Sequence, residues 1–529
     1  MSDDGLLCLR PDVVLEPLID GWFAWSHLIP PNTAAMNIAA RHIRLMESFI
    51  AMPQAHAAAS KNPALRGGQF VELLPERVEE VRTLLAQTRR KRSGAIALHD
   101  AIRACIQMLR DDAKGYSLGL LYEKTPKLLQ GYVEFVYNIS GQPDVHFFEP
   151  LLYRSEFHDS STQSILIQRL SGKKRTFIMS TPRLPENSTI QWDIAFESQA
   201  IDALSQLRST PARWSIIKRT LDKFSLPVDK MRNFFCDWEG GRRLRVRPGP
   251  RWSYYGHACL LLESAGGASI LIDPIVAYDA HPQLEHFGFA DLPDRIDTVL
   301  ITHNHSDHVN LETLLALRHK IGSIVVPAGG GRLQDPSLKL TLEALGFQNV
   351  HAVEPFDSRV CGDATISALP FLGEHADLDV RTKCAYRISY NGWSAMVVAD
   401  SANLDPILYD HIRQAVGPVD TLFIGMECTG APMSWVYGPL LCGAIERDKD
   451  NSRRLAGSDE KQAQGIVKSL GCREVYVYAL GLEPWVEFIT SVSEHSSAPA
   501  TQASDRFVAA CREQGIEARR LYGIDASDR

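Results

Sequence analysis

The stretch "DTVLITHNHSDHVNLETL", residues 297–314, constrains this chain more than any other, because an apolar strand-like run ends directly in three histidines and an aspartate. His303 and His305 stand two apart, so an extended backbone sends both imidazoles to one side. Asp307 and His308 fall where the chain turns toward the helical "NLETLLALRHK", and can address a second ion beside the first. Strand ends of layered α/β sheets are where ligand sites form. Burying so many polar groups unpaired is costly, and a metal cation removes that cost. The competing reading, a solvent-exposed polar turn, is disfavoured by the density of ligand-type residues.

At 529 residues the chain exceeds what one hydrophobic core supports, so two or more domains are expected. Residues 75–92, "PERVEEVRTLLAQTRRKR", predict an amphipathic helix that opens on Pro and acids and closes on a basic cluster. "GYVEFVYNIS", "SILIQRL", "RTFIMST" and "TIQWDIAF" predict an antiparallel sheet, followed by a helical segment over residues 198–223. "EGGRRLRVRPGPRW" gathers Gly, Pro and Arg and marks the domain boundary, dividing an α+β region, 1–247, from 248–529. Beyond Trp252 the texture changes to short apolar strands. "ACLLLES" and "ASILIDP" read as a hairpin around Gly266 and Gly267. "SIVVPA", "WSAMVVADSA", "VDTLFIGME" and "EVYVYALG" follow, with helices such as "DEKQAQGIVKSL" between them. Continuous apolar strands imply sheets covered on both faces, hence a layered α/β domain.

Composition excludes several classes. Hydrophobic residues at 45% and charged residues at 22% describe an ordinary globular protein. A net charge of -7 argues against general nucleic-acid binding. No apolar run approaches the ~20 residues that span a bilayer, so no membrane association is expected. The N-terminus "MSDDGLLCLRPDVV" lacks the cationic start and apolar core of a secretory signal. Ten cysteines stand singly without a CxxC pair, which suits reduced thiols and a cytoplasmic location.

The pattern HxHxDH, here His303, His305, Asp307 and His308, resembles the signature of the metallo-β-lactamase fold, an αββα sandwich with a dinuclear metal site. "YYGHACLLLES" through "LIDP" is similar to the opening hairpin of that superfamily, with Asp273 matching its structural aspartate. "MVVADSA" places Asp400 where the family has its bridging aspartate. Zinc hydrolases of the fold supply one further histidine between these motifs and another near the end. Here "FLGEHADLD" offers Glu374 beside His375, and "YVYALGLEPW" offers no histidine. His411 and His495, the only histidines after Asp400, follow no suitable strand, and His257 reads as a hydrogen-bonded structural histidine. Fewer imidazoles and more carboxylate make a harder, more anionic site, suited to iron with positions open for oxygen. Zinc sites also keep an open position, so on this argument both metals remain.

"LEPLIDGWFAWSHLIPPNTAAMNIAARHIRLMESFI", together with "GEHADLD" and "ALGLEPW", resembles the family of the diiron β-hydroxylase of chloramphenicol biosynthesis, over nearly the full length. That resemblance implies an O2-dependent monooxygenase with two Fe ions and an external electron donor or reductase. Its substrate would be an amino acid held as a thioester on a carrier domain of a nonribosomal peptide synthetase. Carried over, His303, His305 and Glu374 bind one iron, Asp307 and His308 the other, and Asp400 bridges; Glu374 and Asp400 are the carboxylates of the reacting centre. The alternative makes His375 the ligand. Glu427 and Glu483 follow strand-like runs, and either completes the second iron's ligands or is an ordinary carboxylate. Arg89, Arg90, Lys91 and Arg92, or Arg242, Arg243 and Arg245, would receive an acidic carrier, unless they are a solvated helix end and linker. The N-terminal domain would form a homodimer interface and wall the active site. The rival readings are a zinc-dependent hydrolase of lactonase or esterase type, and a binding scaffold.

Overall fold

Apolar residues on both phases of a period-two pattern make the strand Cys259–Glu263 an element with two buried faces. Leu260 and Leu262 join a core that also holds Tyr386, Ile388 and Val397, whereas Cys259 and Leu261 join a different core that includes Leu7, Leu9 and Val13. One sheet therefore separates two cores. The computed structural model describes residues 5–62, 65, 67–170, 174–240, 249–390, 392–492 and 498–529.

The first large sheet runs, in spatial order, Val350–Val353, Ile321–Pro327, Ile296–Leu300, Ser269–Ile272, Cys259–Glu263, Arg251–Gly256 and Asp525–Asp528. The second runs Ser358–Cys361, Ala364–Leu369, Ala385–Tyr390, Trp393–Val397, Thr421–Gly425, Glu474–Tyr478 and Glu517–Arg520. Each is antiparallel in one half and parallel in the other, with the change at Ser269–Ile272 and at Trp393–Val397. Trp252, Tyr254, Phe423 and Tyr476 are among the side chains that fill the space between the sheets. Helices Leu408–Val416, Glu460–Leu470 and Pro499–Glu513 cover the outer face of the second sheet through Tyr409, Ile466 and Phe507. Asp459 and Gln462 start the middle one with a reciprocal capping box. Helices Leu311–Leu317 and Leu338–Ala344 and the N-terminal region cover the outer face of the first sheet. This is the αββα sandwich with an α+β N-terminal domain.

The N-terminal region differs in detail from expectation. Val13–Ile19 pairs along its whole length with Gln163–Arg169, in a four-stranded antiparallel sheet completed by Trp22–Phe23 and Ile190–Asp193. The strand predicted in "GYVEFVYNIS" lies outside it, as a hairpin of Val133–Tyr137 with Pro143–Phe147. "RTFIMST" is not a strand, because its backbone bonds go to scattered partners: Phe177 N–H donates to the Glu72 carboxylate and Ile178 N–H to the Phe488 carbonyl. The helix expected over 198–223 is broken into Gln199–Gln206 and Trp214–Lys223; Pro211 interrupts it, and Ala212–Arg213 pairs with Leu6–Leu9. The helix at 75–92 forms as a 3-10 turn leading into Val78–Lys91. Arg92 at its end is buried on Asp20 at 2.8 Å, so it drops out of any docking surface; Arg89 pairs with Glu47. Arg242, Arg243 and Arg245, in the boundary segment, lie outside the described residues. Among the described residues no helix is long and apolar enough to cross a membrane.

A buried charge network locks the N-terminal region onto the sandwich. Arg183 Nε donates to Glu16 at 2.7 Å, and Arg175 contacts Glu16 at 3.0 Å and Glu312 at 2.5 Å. Glu312 belongs to Leu311–Leu317, the helix that follows the histidine motif. Glu16→Gln weakens both arginine contacts in a dry site and is expected to cost about 3–5 kcal/mol, read as a lower unfolding midpoint in denaturant. Burial alone would raise the Glu16 carboxyl, but Arg183 and Arg175 hold it below its ordinary value of 4.5. Its contribution is therefore complete above that value and is lost as pH falls through the lower folded one, so the difference between the two proteins should shrink in acid.

Candidate metal centre

Two strand ends and one strained loop converge on the site. Beyond Ile296–Leu300, the Thr302 N–H and hydroxyl donate to the two oxygens of Asp273 at 2.8 and 2.6 Å, pinning the chain just before His303. The extended segment carries His303 and His305, and a turn closed by His308 N–H on the His305 carbonyl carries Asp307 and His308. Asn310 ends the turn by accepting from Thr313 N–H and starting Leu311–Leu317. Asp400 follows Trp393–Val397 in the opposite sheet. Gly425 on the adjacent strand makes room for it, since a Cβ there would stand 2.3 Å from Asp400 Oδ1. Glu374 comes from the loop 373–377, with φ at +71°, a left-handed conformation uncommon for a non-glycine residue.

These residues form three overlapping donor sets, each with its donor atoms within 4.8 Å of one another: His303, His305 and Glu374; His303, His308 and Asp400; and His257, Asp307 and His308. His305 Nδ1 lies 2.6 Å from Glu374 Oε1, and His303 Nε2 lies 3.7 Å from Glu374 Oε2 and 3.8 Å from Asp400 Oδ2. His308 Nε2 is 3.1 Å from Asp400, while its Nδ1 is 2.8 Å from Asp273. Asp273 can thus accept the Nδ1 proton and leave Nε2 as a free donor, the arrangement by which proteins orient metal-binding imidazoles. Buried polar atoms without hydrogen-bond partners include His257 Nε2, His303 Nε2, Glu374 Oε2 and Asp400 Oδ1. Orphaned atoms are rare in folded proteins, and four of them on residues of these overlapping donor sets fit a dinuclear cation site.

The electrostatics agree. Burial pushes Glu374 up to about 7 against the pull of His305. Burial would lower His308, yet Asp400 and Asp273 outweigh it and hold it well above the usual histidine value. Burial would raise Asp307, but His257, 3.4 Å away, and the adjacent imidazoles hold it well below the carboxylate range. Protons here balance carboxylates that a cation would otherwise neutralise.

The structure thus gathers His303, His305, Asp307, His308, Glu374 and Asp400 at one place. His375 belongs to none of the three sets, its Nδ1 lying 2.8 Å from the Tyr437 hydroxyl and 3.4 Å from Glu374 Oε2. Glu427 lines the cavity but turns back to accept from Thr429 and Gly430 N–H groups. Glu483 is buried and accepts from the Tyr254 hydroxyl, apart from the donor sets. His411 is exposed, and His495 lies outside the described residues. His257 is hydrogen-bonded as expected, its Nδ1 accepting from Gly481 N–H, but its Nε2 reaches Asp307 at 3.4 Å. Its placement directly after Arg251–Gly256, a strand-end position like those of the other donors, was the available signal. Sequence reading also missed Tyr437, which stands 3.4 Å from His305 Nε2, and His27, 3.4 Å from Asn304. A cavity of about 260 Å³ opens beside the donors, walled by Phe177, Met179, Trp435, Val436 and Leu480. Phe177 and Met179 come from the N-terminal region.

Comparison with known proteins gives the same picture at the scale of the chain. Residues 8–238 match the diiron non-heme β-hydroxylase N-terminal domain, and residues 251–429 the β-lactamase superfamily domain. The 4-amino-L-phenylalanyl-peptidyl-carrier-protein 3-hydroxylase of Streptomyces venezuelae is 37% identical over 97% of this chain and 98% of its own. The crystal structure of CmlA, a diiron β-hydroxylase from Streptomyces venezuelae, superposes with a TM-score of 0.91 at 35% identity, covering 99% of this chain and 100% of that one. A metal-dependent hydrolase of Anaeromyxobacter sp. is 33% identical over only 15% of this chain and 30% of its own.

His303 belongs to two donor sets, so His303→Ala is expected to lower metal content more than Asp307→Ala, as measured by elemental analysis. Because Glu374 must shed its proton to bind a cation, metal uptake by the apoprotein should strengthen as pH rises through about 7. Metal titrations on either side of that pH check the direction.

Proposed function

The chain belongs to the diiron non-heme β-hydroxylase family, and on that premise we propose that it hydroxylates the β-carbon of an amino acid held as a thioester on a carrier domain of a nonribosomal peptide synthetase. It is a non-heme diiron oxygenase with O2 as co-substrate. The observation that carries the reading is the correspondence over 97% of the chain with a carrier-protein 3-hydroxylase, N-terminal domain included. The likeness to the hydrolase above is confined to a short part of the chain, and the zinc-hydrolase reading is set aside.

In the proposed site, His303, His305 and Glu374 would hold one iron and Asp307 and His308 the other, with Asp400, which shares a donor set with His303 and His308, available to both. His257 adds a donor on the Asp307 side. When bound, the irons supply the activation of O2 that inserts one oxygen atom into a C–H bond, the second oxygen leaving as water with electrons from an external donor. The protein's own groups do the rest. Asp273 keeps His308 Nε2 free to donate, and Tyr437 fixes the His375 ring beside His305. Phe177, Met179, Trp435 and Val436 exclude water from the reacting centre and hold the substrate's β-carbon against it. The thioester-bearing carrier delivers the amino acid, a reductase supplies electrons, and the protein works in the cytoplasm.

We propose further that the region before the 247/248 boundary covers the site, to which it contributes Phe177 and Met179, and forms a homodimer interface. Sedimentation should then give the mass of a dimer. Iron-loaded, reduced protein incubated with carrier-bound aminoacyl thioesters under heavy-isotope O2 should add one labelled oxygen to one aminoacyl group, read by mass spectrometry. Zinc-loaded protein and Asp400→Ala should add none; product formed by zinc-loaded protein without O2 would overturn the reading.

A further inference from the structure

The short helix Met433–Tyr437 has a cavity on either side. Trp435 and Val436 wall the metal-site cavity, whereas Ser434, together with Gly438 and Pro439 just beyond the helix, borders a second one of about 590 Å³. Arg41, Arg44 and Arg103 line that second cavity, and among the described residues no Asp or Glu does; Asp450 stands behind it, accepting from Ser434. Arg41 is buried, with 4% exposure, and its partners are neutral: the carbonyls of Trp435 and Val436 and the sulfur of Met179. A buried guanidinium without a carboxylate is costly, and an anion in the adjoining cavity would supply the missing charge. Arg103 donates to the Leu441 carbonyl across the cavity, and Arg44 projects into solvent at its mouth.

The backbone is arranged to present these groups. Arg41 lies in the π-helical turn Ile38–His42, which interrupts the helical run between Pro31–Asn37 and Ile43–Ala51. Such turns recur at functional positions, where they redirect side chains. Planar guanidinium forks match phosphate oxygens in pairs, so Arg44 and Arg103 at one cavity, with the buried charge of Arg41 beside them, suit a phosphate ester.

We propose that this cavity binds the phosphodiester of a carrier protein's phosphopantetheine arm, with the pantetheine chain passing the helix Met433–Tyr437 to deliver its thioester to the metal cavity. A single helix is roughly 10 Å across, less than the extended arm. The inference rests on the carrier-bound substrate proposed above.

Calorimetry on the full-length, iron-loaded protein tests it with three probes: 4′-phosphopantetheine, pantetheine and inorganic phosphate. Phosphopantetheine is expected to bind at least about tenfold more tightly than either of the others, and Arg44→Gln or Arg103→Gln to remove about tenfold of that affinity, the loss of one charge-assisted contact. Arg44 is exposed, so its substitution should leave the unfolding midpoint unchanged. Equal binding of pantetheine and phosphopantetheine, or no binding of any probe, overturns the proposal. Inorganic phosphate binding as tightly as phosphopantetheine also overturns it, in favour of a free-phosphate site. If carrier-bound substrate is hydroxylated without a phosphate preference, only this inference falls. A phosphate preference without hydroxylation keeps the arm site and removes the proposed reaction.

Discussion

Imidazoles and carboxylates held out of water at the junction of two sheets are the constraint on which this structure depends. His303, His308 and Asp273 are completely buried, and Glu374 and Asp400 nearly so. Such a group is stable only where every donor and acceptor is matched, and here several atoms are matched only by what a cation would provide. The surrounding fold reads as the means of holding them. Asp273 and Thr302 fix the departure of the chain from one sheet, Gly425 clears space for Asp400 at the end of the other, and a left-handed backbone at Glu374 turns its carboxylate inward. Local strain at such a loop persists because the packed surroundings leave it no alternative.

The N-terminal region answers a second requirement. A strand such as Cys259–Glu263, apolar on both faces, needs cover on each side, and the αββα layers alone leave the first sheet's outer face only partly covered. Strand Val13–Ile19 and its neighbours extend that cover, so the apolar core runs continuously from Leu7 to Ile489. The Glu16, Arg175, Arg183 and Glu312 network adds direction to that contact, because charge pairs in a dry site tolerate little displacement. It grips the helix Leu311–Leu317, whose first turn is continuous with the histidine motif. The same region sends Phe177 and Met179 to the cavity wall and Arg41 to the helix carrying Trp435 and Tyr437. Covering the sheet and shaping the site are thus one structural act.

Much of this was legible in the sequence. Strand "DTVLIT" followed by clustered ligand-type residues marked where the donor cluster forms, since strand periodicity and residue chemistry are both local properties. Helices with a clear apolar stripe and good end residues, such as Val78–Lys91 and Glu460–Leu470, were equally plain. Local signals failed where a segment's backbone partners lie far away. "RTFIMST" has the composition of a strand but bonds to Glu72 and Phe488 on separate elements, and Arg92 looks like a solvated helix end but finds Asp20.

The sequence by itself determined the layered α/β class, the position of the donor cluster after one strand and the placing of Asp400 after another, because these follow from alternation and from ligand chemistry within a few residues. Only the tertiary structure decided which donors face which. It brought His257 to Asp307 and set His375 against Tyr437, outside the three donor sets. It also took Glu483 away to Tyr254, although all three sit in stretches that read alike. The physical reason is that a side chain's partner far along the chain, from His257 on Asp307 to Tyr254 on Glu483, is set by how sheets stack and loops turn, and no local period encodes that.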